Sequence, residues 1–534
     1  MKNRIQISGG LMLTVSVAIN LILTLQYFIT ASPKFIDYLF NADLLFMHTL
    51  YDDFFVSGHG IKGWTFPGGQ FFFPDMALYF LIRTFVEHPG TIYLIYVFVQ
   101  QSLILFAVAL LIRNIFSEGH LWIAAASILM FSLIPAIAIV DNDYLFPFYL
   151  YTVNFHVGAF LLTIYFFLAI LAYYKSPRWS GLVLIFILVF LGYVSSKLFL
   201  LMGIVPSSIA FLIILLFGKH KRNWIKAMVV IASGFVLAMI TSRMLELYLI
   251  NVIKYNTKPD FANISFSVNL FSQQLFDYIK HLNIRSLVIL NYFIVFGIGI
   301  WLFFKSLSKR DAFEMLWISM VIVYLAGVFL GPIITGMYKY TPQIRYNISV
   351  FYLGLIMLFP FLLKLNRTRL KTVKISTVFL MLIFGIIIGI GFTKTTVKPS
   401  YYSHYYPKYI QILDSLNCEY NLENGLSIYE YSTQIRSFSK TGLRVYNGNT
   451  NNLNCDYFLS NKAWYHGKSQ EGERPVFNFL FHNKPLNDSV LQKHFSEKEY
   501  LYQQLGQMHF YLIPDYVYND NRTIVVLKDS LIAP

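Results

Sequence analysis

Long apolar runs separated by short polar gaps fill the chain from residue 5 to residue 393, and the pattern changes only near residue 397. An α-helix rises 1.5 Å per residue, so about 17 to 25 apolar residues cross a hydrocarbon core. On that measure the sequence predicts eleven spans, near 5–29, 91–112, 119–140, 157–174, 180–195, 198–217, 227–250, 286–304, 314–332, 348–363 and 375–393. The first run follows Lys2 and Arg4, but it is long and lacks a small-residue cleavage site, so it reads as a retained helix and not as a signal peptide. Residues 74–88 are apolar but short and carry Asp75, Arg83, Glu87 and His88, which places them at the membrane interface.

Beyond residue 397 short β-rich runs alternate with a helical one: GLSIYEY, then STQIRSFSKTG, then LRVYNG, CDYFLS, PVFNFLF, MHFYLIP and TIVVLK. That alternation predicts a small α/β domain. The fold class expected is therefore an α-helical polytopic membrane domain, residues 1–396, followed by a soluble α/β domain, residues 397–534. Both cysteines, Cys418 and Cys455, fall in the second domain, as a disulfide or as two separate thiols.

Composition agrees with the pattern: 56% of the 534 residues are hydrophobic and 13% charged, about half the charged share of an ordinary soluble domain. A net charge of +15 would suit nucleic acid, but its distribution excludes that reading. Basic residues cluster in the short gaps at 219–226, 305–310 and 364–374, which the positive-inside rule makes cytoplasmic. With 74–88 at the interface, seventeen Lys and Arg fall in cytoplasmic gaps and ten in the far longer opposite loops. The N-terminus is then cytoplasmic, while loops 30–90, 141–156, 251–285 and 333–347 and the tail lie outside, as in a bacterial inner membrane with a periplasmic face. No GxxxxGK[ST] phosphate loop serves a cytoplasmic pump.

Candidate chemistry concentrates in the outer loops. Asp43 either acts as a general base beside a low-dielectric surface or caps the helix LLFMHTLYDDFF; Asp52 and Asp53 either share such a role or face water. His48 lies one turn before Asp52, too sparse a pair to define a metal site, and His59 sits among glycines in SGHGIKG. Asp141-Asn142-Asp143 makes Asp143 a substrate contact or a turn residue. Asn154 and His156 enter a helix at the outer surface, as site residues or packing groups. Arg345, at the mouth of another helix, suits a phosphate or snorkels to headgroups, and Lys339 suits the latter.

The run from Asp43 through YDDFF, GWTFPGGQFFFPDMALYF and NFHVGA, with GLSIYEYSTQIRSFSKTGLRVYNG, NKAWY and FNFLF in the tail, resembles a family of bacterial multi-spanning proteins related to the GT-C glycosyltransferases. The resemblance implies ten or more membrane helices, a first outer loop with a catalytic acid, and a sugar donor carried on polyprenyl phosphate. It implies Asp43 as the catalytic residue, with Asp53 next, and Asp143 as a second acidic group; Asp52, His59, Asn154, His156 and Arg345 are the further substrate-contact candidates. The RY pair at Arg345-Tyr346 resembles the one preceding a late helix in lipid-linked sugar transferases. A DxD is missing from the first loop, so the cofactor stays open, a divalent metal included. The partners implied are the lipid-linked sugar, a glycan or lipid acceptor of the cell envelope, and membrane lipid. Two other classes compete: a transporter or flippase of lipid-linked glycans, and a non-catalytic envelope assembly protein whose tail binds polymer.

Overall fold

The computed structural model describes residues 8–217, 221–253, 261–366, 370–449, 452–466, 475–495, 500–518 and 524–526. Lys2, Arg4, Lys219, Lys254, Lys258, Arg367 and Arg369, which entered the charge count, lie outside them.

The first membrane helix, α1 (Gly9–Ile29), is capped by the Ser8 side chain. The loop after it folds into α2 (Pro33–Leu39), α3 (Ala42–Tyr51), a π turn at Asp52–Val56, the two-residue strand β1 (Thr65–Phe66) and α4 (Ala77–Arg83). Next come α5 (Pro89–Ile115), α6 (His120–Phe131), α7 (Leu133–Val140), α8 (Leu145–Tyr151), α9 (Val157–Lys175), α10 (Trp179–Ser195), α11 (Val205–Phe217) and α12 (Lys221–Tyr248). Strand β2 (Asn251–Val252) pairs in parallel with β1. Then follow α13 (Phe261–Ile279), α14 (Ile284–Lys309), α15 (Ala312–Ile334), a 3₁₀ turn at Thr341–Tyr346, α16 (Ser349–Asn366) and α17 (Leu370–Thr393).

Among the described residues nine helices are long and apolar enough to cross a membrane, and two shorter apolar ones, Trp179–Ser195 and Ser349–Leu365, accompany them. The chain is a polytopic α-helical membrane protein. The predicted run 119–140 is broken at Ser132, because Pro135 has no N–H to give and its ring crowds the carbonyl one turn back. Buried polar side chains tie the first helices together: Gln101 Nε2 donates to Asn20 Oδ1 at 2.6 Å, and Asn20 Nδ2 to Ser132 Oγ at 2.9 Å. Gly391 lets α17 approach α1, where a Cβ would stand 2.5 Å from Gln26.

The structure departs from the expected pattern in three places. Residues 251–285 are not an open loop, because α13 fills most of them. Ser267, Phe271, Gln274 and Tyr278 recur at helical spacing on its buried face, while Phe261, Phe266, Val268 and Phe276 are exposed on the other. The cap of α3 is Asn41, whose Oδ1 accepts from Leu44 N at 3.1 Å, and not Asp43, which stands in the first turn. Finally, the strand expected over GLSIYEY stops at Ser427.

The tail contains α18 (Ser400–Ser403), α19 (Lys408–Tyr420), β3 (Asn424–Ser427), α20 (Tyr429–Phe438), β4 (Arg444–Asn449), β5 (Asn454–Cys455), α21 (Ala463–His466), β6 (Phe477–His482), α22 (Asp488–His494), β7 (Leu501–Leu505), β8 (Met508–Tyr518) and β9 (Ile524–Val526). The strands form one sheet ordered β5-β4-β3-β6-β8-β7, with β9 also pairing β8. Strands β4, β3 and β6 run parallel, and the later pairings are antiparallel. Parallel strands need a crossover, and α20 supplies the one from β3 to β4. Cys418 is exposed and Cys455 buried, and no disulfide joins them.

Candidate functional site

Asp43 opens α3 on the side facing the tail and the 3₁₀ turn. Its residue keeps solvent-accessible surface, yet protein crowds the carboxyl enough that burial raises its pKa above the ordinary carboxylate range. The Arg345 charge and a hydrogen bond from Tyr429 pull the other way. The Tyr429 hydroxyl is shared between Asp43 and the Ala42 carbonyl, the latter at 3.1 Å.

Arg345 rides on the Thr341–Tyr346 turn, which Tyr149 Oη braces by donating to the Pro342 carbonyl at 2.9 Å. Its guanidinium lies over Phe155 at 5.3 Å and Tyr346 at 5.2 Å, and donates to Tyr346 Oη at 3.4 Å. The side chain is half-buried, its Nε has no partner, and among the described residues no carboxylate forms an ion pair with it. The carboxylate that acts on it is Asp43, within electrostatic reach, and an anion from outside the chain would add a second counter-charge.

Asn154 and His156 stand beside this pair. Both adopt left-handed backbone, φ 73° and 71°, a conformation that costs about 1 kcal/mol or more for residues with a Cβ. Asn154 Nδ2 donates to the Asp43 carbonyl at 3.1 Å, leaving its Oδ1 buried without a partner. The His156 ring packs 5.1 Å from Tyr346 and 5.6 Å from Phe71, and its Nδ1 is also buried and unpartnered. Burial, with Arg345 adding to it, lowers the His156 pKa to about 3, so the ring is neutral at physiological pH. Buried polar groups are ordinarily satisfied. Here Asn154 Oδ1, His156 Nδ1 and Arg345 Nε are unsatisfied together, around Asp43.

The strained turn rests on Asp75. That carboxylate is 2% exposed, takes a hydrogen bond from Tyr96 Oη at 2.7 Å and another from the Asn154 backbone. A Cβ at Gly158 would lie 2.1 Å from its Oδ2, so only glycine fits there. Burial raises the Asp75 pKa to about 6 against the pull of Tyr96.

The remaining sequence candidates lie in other networks. Asp53 is fully buried: Oδ1 accepts from His59 Nδ1 at 2.7 Å and Trp464 Nε1 at 2.6 Å, and Oδ2 from Trp64 Nε1 at 2.5 Å and Asn461 Nδ2 at 2.9 Å. Burial would raise its pKa, but His59, Arg436, Trp464 and Asn461 outweigh it and hold the carboxyl below the usual range. With each oxygen taking two donors, Asp53 and His59 form a buried joint between the loop after α1 and the tail. Asp52 pairs with Arg83 at 3.0 Å and His48 at 3.4 Å, while burial lowers the His48 pKa to about 4. Asp143 accepts from Leu145 N, the first residue of α8, at 2.9 Å and pairs with Arg285, which also binds Asp141. No cluster of three metal-ligating side chains occurs among the described residues.

The structure therefore brings together Asp43, Asn154, His156 and Arg345, and separates Asp52, Asp53, His59 and Asp143 from them. Asp75 and Tyr429 were not singled out from sequence. Asp75 carried a signal, a carboxylate within the apolar FFFPDMALYF, whereas Tyr429 is one tyrosine among 38. No protein-family model matches the chain, and no curated protein matches it by sequence.

Proposed function

We propose that the chain is a membrane glycosyltransferase that moves a sugar from a polyprenyl phosphate carrier to a glycan or lipid acceptor of the cell envelope. The observation that carries the reading is the half-buried Arg345 guanidinium, which forms no carboxylate ion pair among the described residues, set within electrostatic reach of an accessible Asp43 held by Tyr429. A phosphate needs the first and a hydroxyl nucleophile the second.

In the proposed step the acceptor hydroxyl gives its proton to Asp43 as its oxygen attacks the anomeric carbon from the face opposite the phosphate. The bond from that carbon to the phosphate oxygen breaks, and the electron pair leaves on polyprenyl phosphate, whose charge Arg345 neutralises. The configuration inverts. Orientation on the protein supplies much of the acceleration, and general-base help from Asp43 about 10²- to 10⁴-fold. Asn154 Oδ1 and the neutral His156 suit sugar hydroxyls. In this reading all eleven apolar helices cross the bilayer, the N-terminus is cytoplasmic, and Asp43, Arg345 and the tail share the outer face. Phe55, Val56, Leu81 and Phe85, exposed around α4, then lie against the outer leaflet.

The lipid and glycan profile of a strain lacking the gene tests the class. A product missing one sugar, restored by the wild-type chain, supports transfer. An unaltered set of glycans with lipid-linked sugar accumulating on the cytoplasmic side would point instead to a flippase.

A further inference from the structure

We propose that the C-terminal domain is a clamp on the helix that carries Asp43, gripping α3 at both ends, with Tyr429 as a positioning residue for the Asp43 carboxylate. The part of this proposal that concerns catalysis rests on the transferase reading above. The clamp itself does not.

At the N-terminal end of α3, two side chains of α20 reach the chain just before and at the first turn. Gln434 Nε2 donates to the Phe40 carbonyl at 2.8 Å in a buried contact, and the Tyr429 hydroxyl bonds the Ala42 carbonyl and the Asp43 carboxylate. Phe438 closes on Phe40, ring centroids 5.5 Å apart. These bonds flank Asn41, the residue that caps α3. The start of the helix, and with it the direction of Asp43, is fixed by the tail.

At the other end the grip is Asp53, two residues beyond the last residue of α3. Asn461 and Trp464 of the tail donate to it, Thr65 N donates to the Ser460 carbonyl at 2.9 Å, and Trp64 meets Trp464 edge to face at 5.2 Å. Arg436 of α20 lies 3.8 Å over the Trp464 ring, so the two grips are joined through one helix of the tail. A domain evolved only to bind polymer would have no need to saturate a buried carboxylate of the membrane region. Helix α3 between the grips has no comparable freedom to tilt.

The groups facing Asp43 are Arg345 from the 3₁₀ turn and Tyr429 from α20, with Tyr38 of α2 close by and Glu430 acting on Tyr38. Only Tyr429 among these both belongs to the tail and hydrogen-bonds the carboxylate.

Hydrogen–deuterium exchange of the full-length protein in detergent tests the clamp without any assay of activity. Replacing Asn461→Ala and Trp464→Phe together is expected to speed exchange of amides in 44–56 about tenfold or more, with α5 and α9 unchanged. Unchanged exchange in 44–56 overturns the clamp. If peptides from β6 and β8 show that this double variant unfolds the tail, Gln434→Ala decides by the same readout at 42–47. The positioning role is read from the pH–rate profile of Tyr429→Phe: its acidic limb moves to higher pH and kcat falls about tenfold with KM held, because the bond that favours the ionised carboxyl is gone. An acidic limb that stays in place overturns it. A wild-type protein without transfer activity would refute the functional reading, while the exchange result still decides the clamp.

Discussion

Trp464 Nε1 donates to Asp53 Oδ1 at 2.6 Å across 411 residues of chain. That bond, with Asn461 Nδ2 to Asp53 Oδ2 and Thr65 N to the Ser460 carbonyl, joins the C-terminal sheet region to the loop after α1. It also explains why a carboxylate flanked by YDDFF is not a free acid.

Removing the Asp53 side chain leaves the donors of His59, Trp64, Asn461 and Trp464 buried and unpaired. Asp53→Ala is expected to cost about 3 to 5 kcal/mol, from the usual penalty for unsatisfied buried groups. Thermal unfolding in detergent measures it. Because the folded pKa of Asp53 is depressed, its contribution is present above the unfolded carboxylate value, near 3.9, and is lost only as pH falls below it.

Asp75 gives the opposite sign. Its folded pKa is raised to about 6, so an unfolded chain loses this proton first as pH rises. Stability is expected to fall between about pH 4 and pH 6, by about 2 to 3 kcal/mol for this group alone, and then to level off. Asp75→Asn, which can still accept from Tyr96, is expected to flatten that part of the stability–pH curve. A curve identical to wild type would refute the assignment.

Gly158→Ala places a methyl where Asp75 Oδ2 now lies. The variant is expected to lose about 1 to 3 kcal/mol of stability by overpacking, and to release the turn that holds Asn154 and His156. Gly385→Ala, on α17 with open space around it, is the control and is expected to unfold with the wild type.

Arg345→Ala is expected to weaken binding of undecaprenyl phosphate about 10- to 100-fold, as loss of a charge-assisted pair does, with Arg345→Lys recovering part of it. Native mass spectrometry of the detergent-purified protein with added lipid reads this directly. Equal binding by wild type and Arg345→Ala would remove the residue from the phosphate site.

The membrane helices were legible because hydropathy over some twenty residues needs no knowledge of partners, and each predicted run overlaps a helix of the structure. Helix α13 was not, since Asn263, Ser265, Ser267, Asn269, Ser272, Gln273, Gln274 and Asp277 interrupt its apolar residues and lower the average that marks a span. In the tail, the strand at Leu501–Leu505 was missed because its side chains are largely exposed and polar. The juxtaposition of Asn154, His156 and Arg345 was foreshadowed only by ionisable or polar groups at the mouths of apolar helices. For Asp53 the sequence shows the charge but not the donors that occupy it, two of which come from the tail. Tyr429 acts through a contact 387 residues away, between its hydroxyl and the Ala42 carbonyl, that no local pattern encodes.

Asp43 carries the central claim, and its pKa direction adds a check, since a raised carboxyl loses its proton later and the rate of transfer should fall as pH drops through a value above the usual range near 4. The decisive measurement is sugar transfer from a polyprenyl-phosphate donor by the purified protein in liposomes, comparing wild type with Asp43→Asn. A loss of at least about 10²-fold in kcat, with undecaprenyl phosphate binding intact, is the expected result. Full activity in Asp43→Asn would contradict the account.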